Sequence, residues 1–127
     1  MGDTIFDKIV RKEIPSDVVF EDEVALAFRD INPQAPVHVL VLPKRRAATL
    51  TEFTDQDPSY LGEFLKRASM VAKQLGLEEN SFRVAINHGT ARQQSGGFHY
   101  VHILGRQETG GAHCHWAAEG RVTSYAP

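Results

Sequence analysis

The stretch Gln94-Ser95-Gly96-Gly97-Phe98-His99-Tyr100-Val101-His102-Ile103-Leu104-Gly105-Arg106 decides how this chain is read. From Phe98 to Leu104 it has the character of a buried strand, entered through a polar, glycine-bearing turn and closed by Gly105. Two histidines interrupt it, His99 and His102. Imidazole is the side chain best suited to move a proton, or to attack phosphorus, near neutral pH. Side chains alternate faces along a strand, so Phe98, Tyr100 and His102 share one face and His99 points to the other.

Working outward, Val37 to Leu42 is almost entirely apolar around His38 and reads as a central strand. Pro43 ends it, and the short basic patch Lys44-Arg45-Arg46 follows. Val18 to Glu21 and Val24 to Asp30 read as two strands joined by the acidic turn Glu21-Asp22-Glu23, and Asn32 to Pro36 is a turn cluster. Phe82 to Asn87 supplies a further strand, followed by a polar loop from His88 to Gly97. Asp3 or Thr4 can cap a short helix over Ile5 to Glu13, where Ile5 and Ile9, and Phe6 and Val10, are spaced four apart. Ile14-Pro15 stops it. Thr51 to Asp57 reads as a polar connector, and Asp57-Pro58 opens a long helix running to about Leu75, with Gly76 as its end cap. Leu61, Leu65, Ala68, Ala72 and Leu75 form its expected apolar face. Strands in local pairs with one long and one short helix predict an α+β domain built on an antiparallel five-stranded sheet. A single domain covers 1–127, with 107–127 as a tail.

Composition excludes several classes. Fourteen cationic against sixteen acidic side chains give a net charge of −2, unlike a general nucleic-acid binder. No apolar run of about eighteen residues suggests a membrane span. The start Met-Gly-Asp-Thr-Ile-Phe lacks a signal pattern, and Phe6 occupies the position where a myristoylation motif wants Ser or Thr. The single cysteine, Cys114, excludes an intrachain disulfide and suits a reducing compartment. The expected location is cytoplasmic, or also nuclear.

Four blocks, Asp3 to Pro15, Ala27 to Pro36, Val41 to Lys44 and Ile86 to Gly89, carry a family resemblance. With Gln94-Ser95, His102-Ile103-Leu104-Gly105 and Trp116, they resemble in order and spacing the Hint-like branch of the histidine triad (HIT) superfamily. The resemblance implies a HIT-like fold whose sheet continues across a homodimer. It implies a purine nucleotide, AMP- or GMP-like, as ligand. No cofactor and no metal are expected. The family's usual chemistry is hydrolysis of nucleoside 5′-phosphoramidates and related adenylates, with a histidine attacking the α-phosphorus. By position, Ile5, Phe6, Ile9 and Ile14 would line the base pocket, Asp30 would hold the ribose hydroxyls, and Asn87 and Ser95 would contact the α-phosphate. His102 matches the last histidine of the triad.

The chain departs from that pattern at its centre. The family motif alternates three histidines with apolar residues, and here Phe98, Tyr100 and His102 fall at those positions. The middle one is the nucleophile, and here it is Tyr100. The position of a fourth histidine, after the Pro43-Lys44-Arg45 block, is Arg46. A phenol ionises near pH 10, about 3.5 units above imidazole, and is a poor replacement unless a base or cation assists it. The preferred expectation is a nucleotide-binding protein with impaired hydrolysis. Two others stand beside it: an active hydrolase using Tyr100, or using His99 brought onto the site face by a bulge at Gly96-Gly97 or near Tyr100, and a dimeric interaction or regulatory module with a vestigial pocket. The plain structural reading of His99 is packing on the sheet's other face. His38 is expected to be a paired core residue, and His88 a solvated or rim-lining one. Ser95 with Gly96-Gly97 suits anion binding, and Lys44, Arg45 and Arg46 suit either a polyanion or a solvated patch. His113-Cys114-His115 has zinc-ligand residue types but not the usual ligand spacing.

Overall fold

The computed structural model describes residues 4–86 and 99–106. Five strands form one antiparallel sheet: β1 (Val18–Glu21), β2 (Ala25–Arg29), β3 (Val37–Pro43), β4 (Phe82–Ile86) and β5 (Val101–Gly105), in the spatial order β1-β2-β3-β5-β4. Among the described residues three helices accompany them: α1 (Ile5–Val10), α2 (Leu50–Thr54) and α3 (Pro58–Gln74). After β3 the chain crosses through α2 and α3 to the far edge, lays down β4, and returns as β5 between β4 and β3.

Alternation along the central strands divides the core in two. Ala25, Ala27, Val39, Val41, Val101 and Ile103 face α3 and pack with Tyr60, Phe64, Ala68 and Val71. Leu26, Phe28, Leu40, Leu42 and Tyr100 face α1 and pack with Phe6 and Ile9. The register sets His102 opposite both Leu40 and Ala85, so His102 shares the α1 face.

The expected face of α3 is met except at one residue. Leu65 is 64% exposed, while Tyr60 and Phe64 point inward. Ala68, Ala72 and Leu75 are buried as expected and Leu61 packs against the core, so Leu65 alone leaves the expected face and the larger aromatic rings take the interior beside it. The sequence Thr51 to Asp57, expected as a connector, contains the short helix α2, capped by Thr49 through the Glu52 amide at 3.2 Å.

Helix α1 has six residues, too few to be stable in isolation. A reciprocal cap holds its start: the Phe6 and Asp7 amides both donate to Thr4 Oγ1 at 3.1 Å, and Asp7 Oδ2 accepts the Thr4 amide at 2.8 Å. Such a cap is worth about 1 kcal/mol. Burial of Phe6 and Ile9 anchors the inner side. Its end comes at Val10, earlier than expected, because Lys12 adopts a left-handed φ of 66°. The Lys12 amide then bonds Ile9 O at 3.0 Å and the Glu13 amide bonds Lys8 O at 2.8 Å, closing the helix end.

Candidate functional site

A hairpin brings the first part of the site together. Strands β2 and β3 flank the turn around Asn32 to Pro36, and the Asp30 amide donates to His38 O at 2.9 Å. Counting outward from that turn places Asp30 beside His38. Strand β5 then adds His102 as a diagonal neighbour of His38, with His38 Nε2 2.9 Å from His102 Nδ1. Asp30 Oδ2 lies 3.4 Å from His38 Nε2, and the side chains of both residues are fully buried.

Backbone geometry fixes the protons in this group. The Gln34 amide donates to His38 Nδ1 at 2.9 Å. A peptide N–H can only donate, so Nδ1 accepts and the neutral ring carries its hydrogen on Nε2. That N–H donates to His102 Nδ1, and the proton of His102 is left on its own Nε2. His102 Nε2 is thus a hydrogen-bond donor, suited to a phosphate oxygen or a leaving group, and carries no free lone pair for attack. Burial supports the neutral state. It draws His38 down to about 4, and burial together with the neighbouring His38 draws His102 down to about 3. Burial pushes Asp30 up to about 6, against the Asn32 amide that bonds Oδ1 at 2.8 Å.

Two imidazoles and a carboxylate with donor atoms within 4.8 Å also have the composition of a metal site. The tautomer does not fit one. A metal needs the Nε2 lone pair of His38, and the Gln34 amide holds the hydrogen on that atom.

The second part is apolar. Tyr100 is 5% exposed, with its ring centroid 4.8 Å from Phe6 and 5.1 Å from His102. Phe6 and Ile9 are buried, and Ile5 and Ile14 pack partly buried against the same cluster. The four residues expected at a base pocket therefore share one apolar cluster with Tyr100, whose ring lies between Phe6 and His102.

His99 is not part of this face. Its ring stacks on Phe53 of α2 at 4.7 Å, and its amide donates to Ala47 O at 2.7 Å. With Leu50, Phe53, Leu61, Phe64 and Val101 it lines an apolar cavity of roughly 180 Å³ on the α3 side. His99 packs on the sheet's other face, as its plain structural reading expects, and regular alternation from Tyr100 to His102 puts no bulge there, while Gly96-Gly97 lie outside the described residues. The basic patch is also tied into the fold. Lys44 pairs with Glu21 at 3.0 Å, Arg45 lies over the Tyr60 ring at 4.5 Å, and Arg46 pairs with Asp7 at 2.7 Å. Asn87, Ser95, His88 and His113-Cys114-His115 lie outside the described residues.

His38 is the residue that sequence reasoning undervalued. It is buried and paired, as expected, but its partner is His102 itself. The usable signal was its position across the turn from Asp30, on the same strand face as Leu40.

Comparison with known proteins gives the family. Residues 11–109 match the HIT domain family. The 14 kDa zinc-binding protein of Zea mays is 50% identical over 107 residues, covering 83% of each chain. The purine nucleoside phosphoramidase of Escherichia coli is 37% identical over 108 residues, covering 85% of this chain and 91% of that one. The crystal structure of a HIT family hydrolase from Legionella pneumophila superposes with a TM-score of 0.75 at 42% identity, over 84% of this chain and 96% of that one. With its fold and these matches, the chain belongs to the HIT domain family.

Proposed function

We propose that this protein binds a purine nucleoside monophosphate on the α1 face and hydrolyses nucleoside 5′-phosphoramidates slowly. The observation that carries the reading is Tyr100, a phenol between Phe6 and His102 where the family motif has its attacking imidazole. The base would rest on the wall of Ile5, Phe6, Ile9 and Ile14, and the ribose hydroxyls would take Asp30. Asn87 and Ser95 would hold the α-phosphate. His102 would donate its Nε2–H to a phosphate oxygen or to the departing amine. What is lacking is a nucleophile, since a phenol attacks phosphorus poorly at neutral pH without an adjacent base.

The reading includes a homodimer. Among the described residues strand β4 lies at the sheet edge, where a ladder open on one side invites a second strand. Phe82, Val84 and Ile86 on its α3 side are 37%, 48% and 44% exposed, beside the exposed Leu65. An apolar edge of this kind suits pairing with the same strand of a second copy.

Burial favours one competing reading. The Asp30 side chain has no exposed surface and Phe6 is fully buried, as in an interaction module whose pocket is vestigial. Calorimetry with AMP and GMP separates the two. Binding at micromolar to millimolar nucleotide supports the proposal, and no heat at millimolar nucleotide supports the vestigial pocket.

A further inference from the structure

Three pairs of adjacent residues meet at one corner of the molecule: Phe6-Asp7 on α1, Arg46-Ala47 after β3, and His99-Tyr100 leading into β5. Each pair touches the other two. Arg46 Nε donates to Asp7 Oδ1 at 2.7 Å. The Phe6 and Tyr100 ring centroids are 4.8 Å apart. The His99 amide donates to Ala47 O at 2.7 Å. Asp7 divides its carboxylate between two tasks. Oδ2 caps α1 through the Thr4 amide and hydroxyl, at 2.8 and 3.0 Å, and Oδ1 takes Arg46. The guanidinium beside Asp7 and the Thr4 bonds hold its carboxyl below the usual range, although burial opposes them.

Arg46 and Tyr100 are also two of the positions where the chain departs from the HIT pattern, and both reach α1 at consecutive residues. A six-residue helix takes its placement from its ties. Arginine has a permanent charge and a long planar fork, and a neutral imidazole at position 46 would offer Asp7 neither. We propose that Arg46 is a positioning residue for base recognition. Through Asp7 it holds α1 in place, keeps Phe6 against Tyr100, and so sets the apolar wall that a purine meets. This rests on the nucleotide reading given above.

The test compares the unaltered protein with Arg46→Gln and Arg46→Lys. Calorimetry is run with AMP and with ribose 5-phosphate, which lacks the base, and amide hydrogen exchange is followed over residues 5–10. Arg46→Gln is expected to weaken AMP binding about 2- to 5-fold, the scale of a partly exposed ion pair, and to leave ribose 5-phosphate unaffected. Exchange over α1 should quicken by a similar factor while the sheet stays unchanged. Arg46→Lys should keep most of the AMP affinity. Equal weakening for both ligands would place Arg46 on the phosphate and overturn the proposal, as would unchanged exchange over α1. If the unaltered protein binds neither ligand, the nucleotide reading and the base-recognition role fall together. Quickened exchange confined to α1 would then still uphold the clamp itself.

Discussion

His38 Nε2 lies 2.9 Å from His102 Nδ1, a bond between two buried imidazoles on diagonal positions of β3 and β5. Because the Gln34 amide occupies His38 Nδ1, the direction of this bond follows from chemistry alone. At pH 7, long-range nitrogen–proton NMR should find both rings neutral with hydrogen on Nε2. A protonated Nδ1 on His102 would show the relay running the other way.

The same burial makes the fold sensitive to acid. His38 and His102 are drawn down to about 4 and 3, while an unfolded histidine titrates near 6.5. As pH falls below 6.5 the unfolded chain takes up protons first, so stability present above that pH is lost toward 4. Asp30, raised to about 6, acts in the opposite sense, since the folded chain binds its proton first between 6 and the unfolded value of 3.8. Two histidines outweigh one aspartate. Urea unfolding should show a loss on the order of 1–2 kcal/mol between pH 7 and pH 5. A flat or rising profile over that window would mean that the imidazoles are charged in the fold.

Much of this was legible in the sequence, and the gaps have physical causes. Period-two patterning and turn residues revealed five strands, and Asp57-Pro58 with Gly76 bracketed α3. Boundaries moved where tertiary bonds intervened: β5 begins at Val101, after the His99 amide has bonded Ala47. Helix α2 was hidden by its polar composition, although Thr49 and Glu52 carry a capping signature. The inward turn of Tyr60 and Phe64 in place of Leu65 on α3 could not be read from spacing, because all three are apolar and only packing selects among them. The partnership of His38 with His102 spans 64 residues of sequence, beyond the reach of any local pattern.

Lys12 occupies the left-handed region at φ 66°, where a side chain is strained. It also pairs with Glu21. Lys12→Gly and Lys12→Ala both remove that pair, so their difference isolates the backbone. The glycine variant should be more stable than the alanine variant by about 1 kcal/mol in thermal or urea unfolding. Equal stabilities would contradict the strain.

If β4 is the seam of a dimer, a charge on its apolar face should open it. Val84 is 48% exposed in the single chain, so Val84→Lys should leave the monomer fold intact. Sedimentation is expected to show dimer for the unaltered protein and a shift to monomer for the variant. An unaltered protein that sediments as a monomer at tens of micromolar would remove the dimer from the account.

The central claim concerns the phenol at position 100. Turnover of an adenosine 5′-phosphoramidate should be measured for the unaltered protein, for Tyr100→Phe and for Tyr100→His. The expected result is turnover close to background in the first two and a rise of about a hundredfold or more in Tyr100→His, where an imidazole again faces the phosphate. Vigorous hydrolysis by the unaltered protein, retained in Tyr100→Phe, would contradict it.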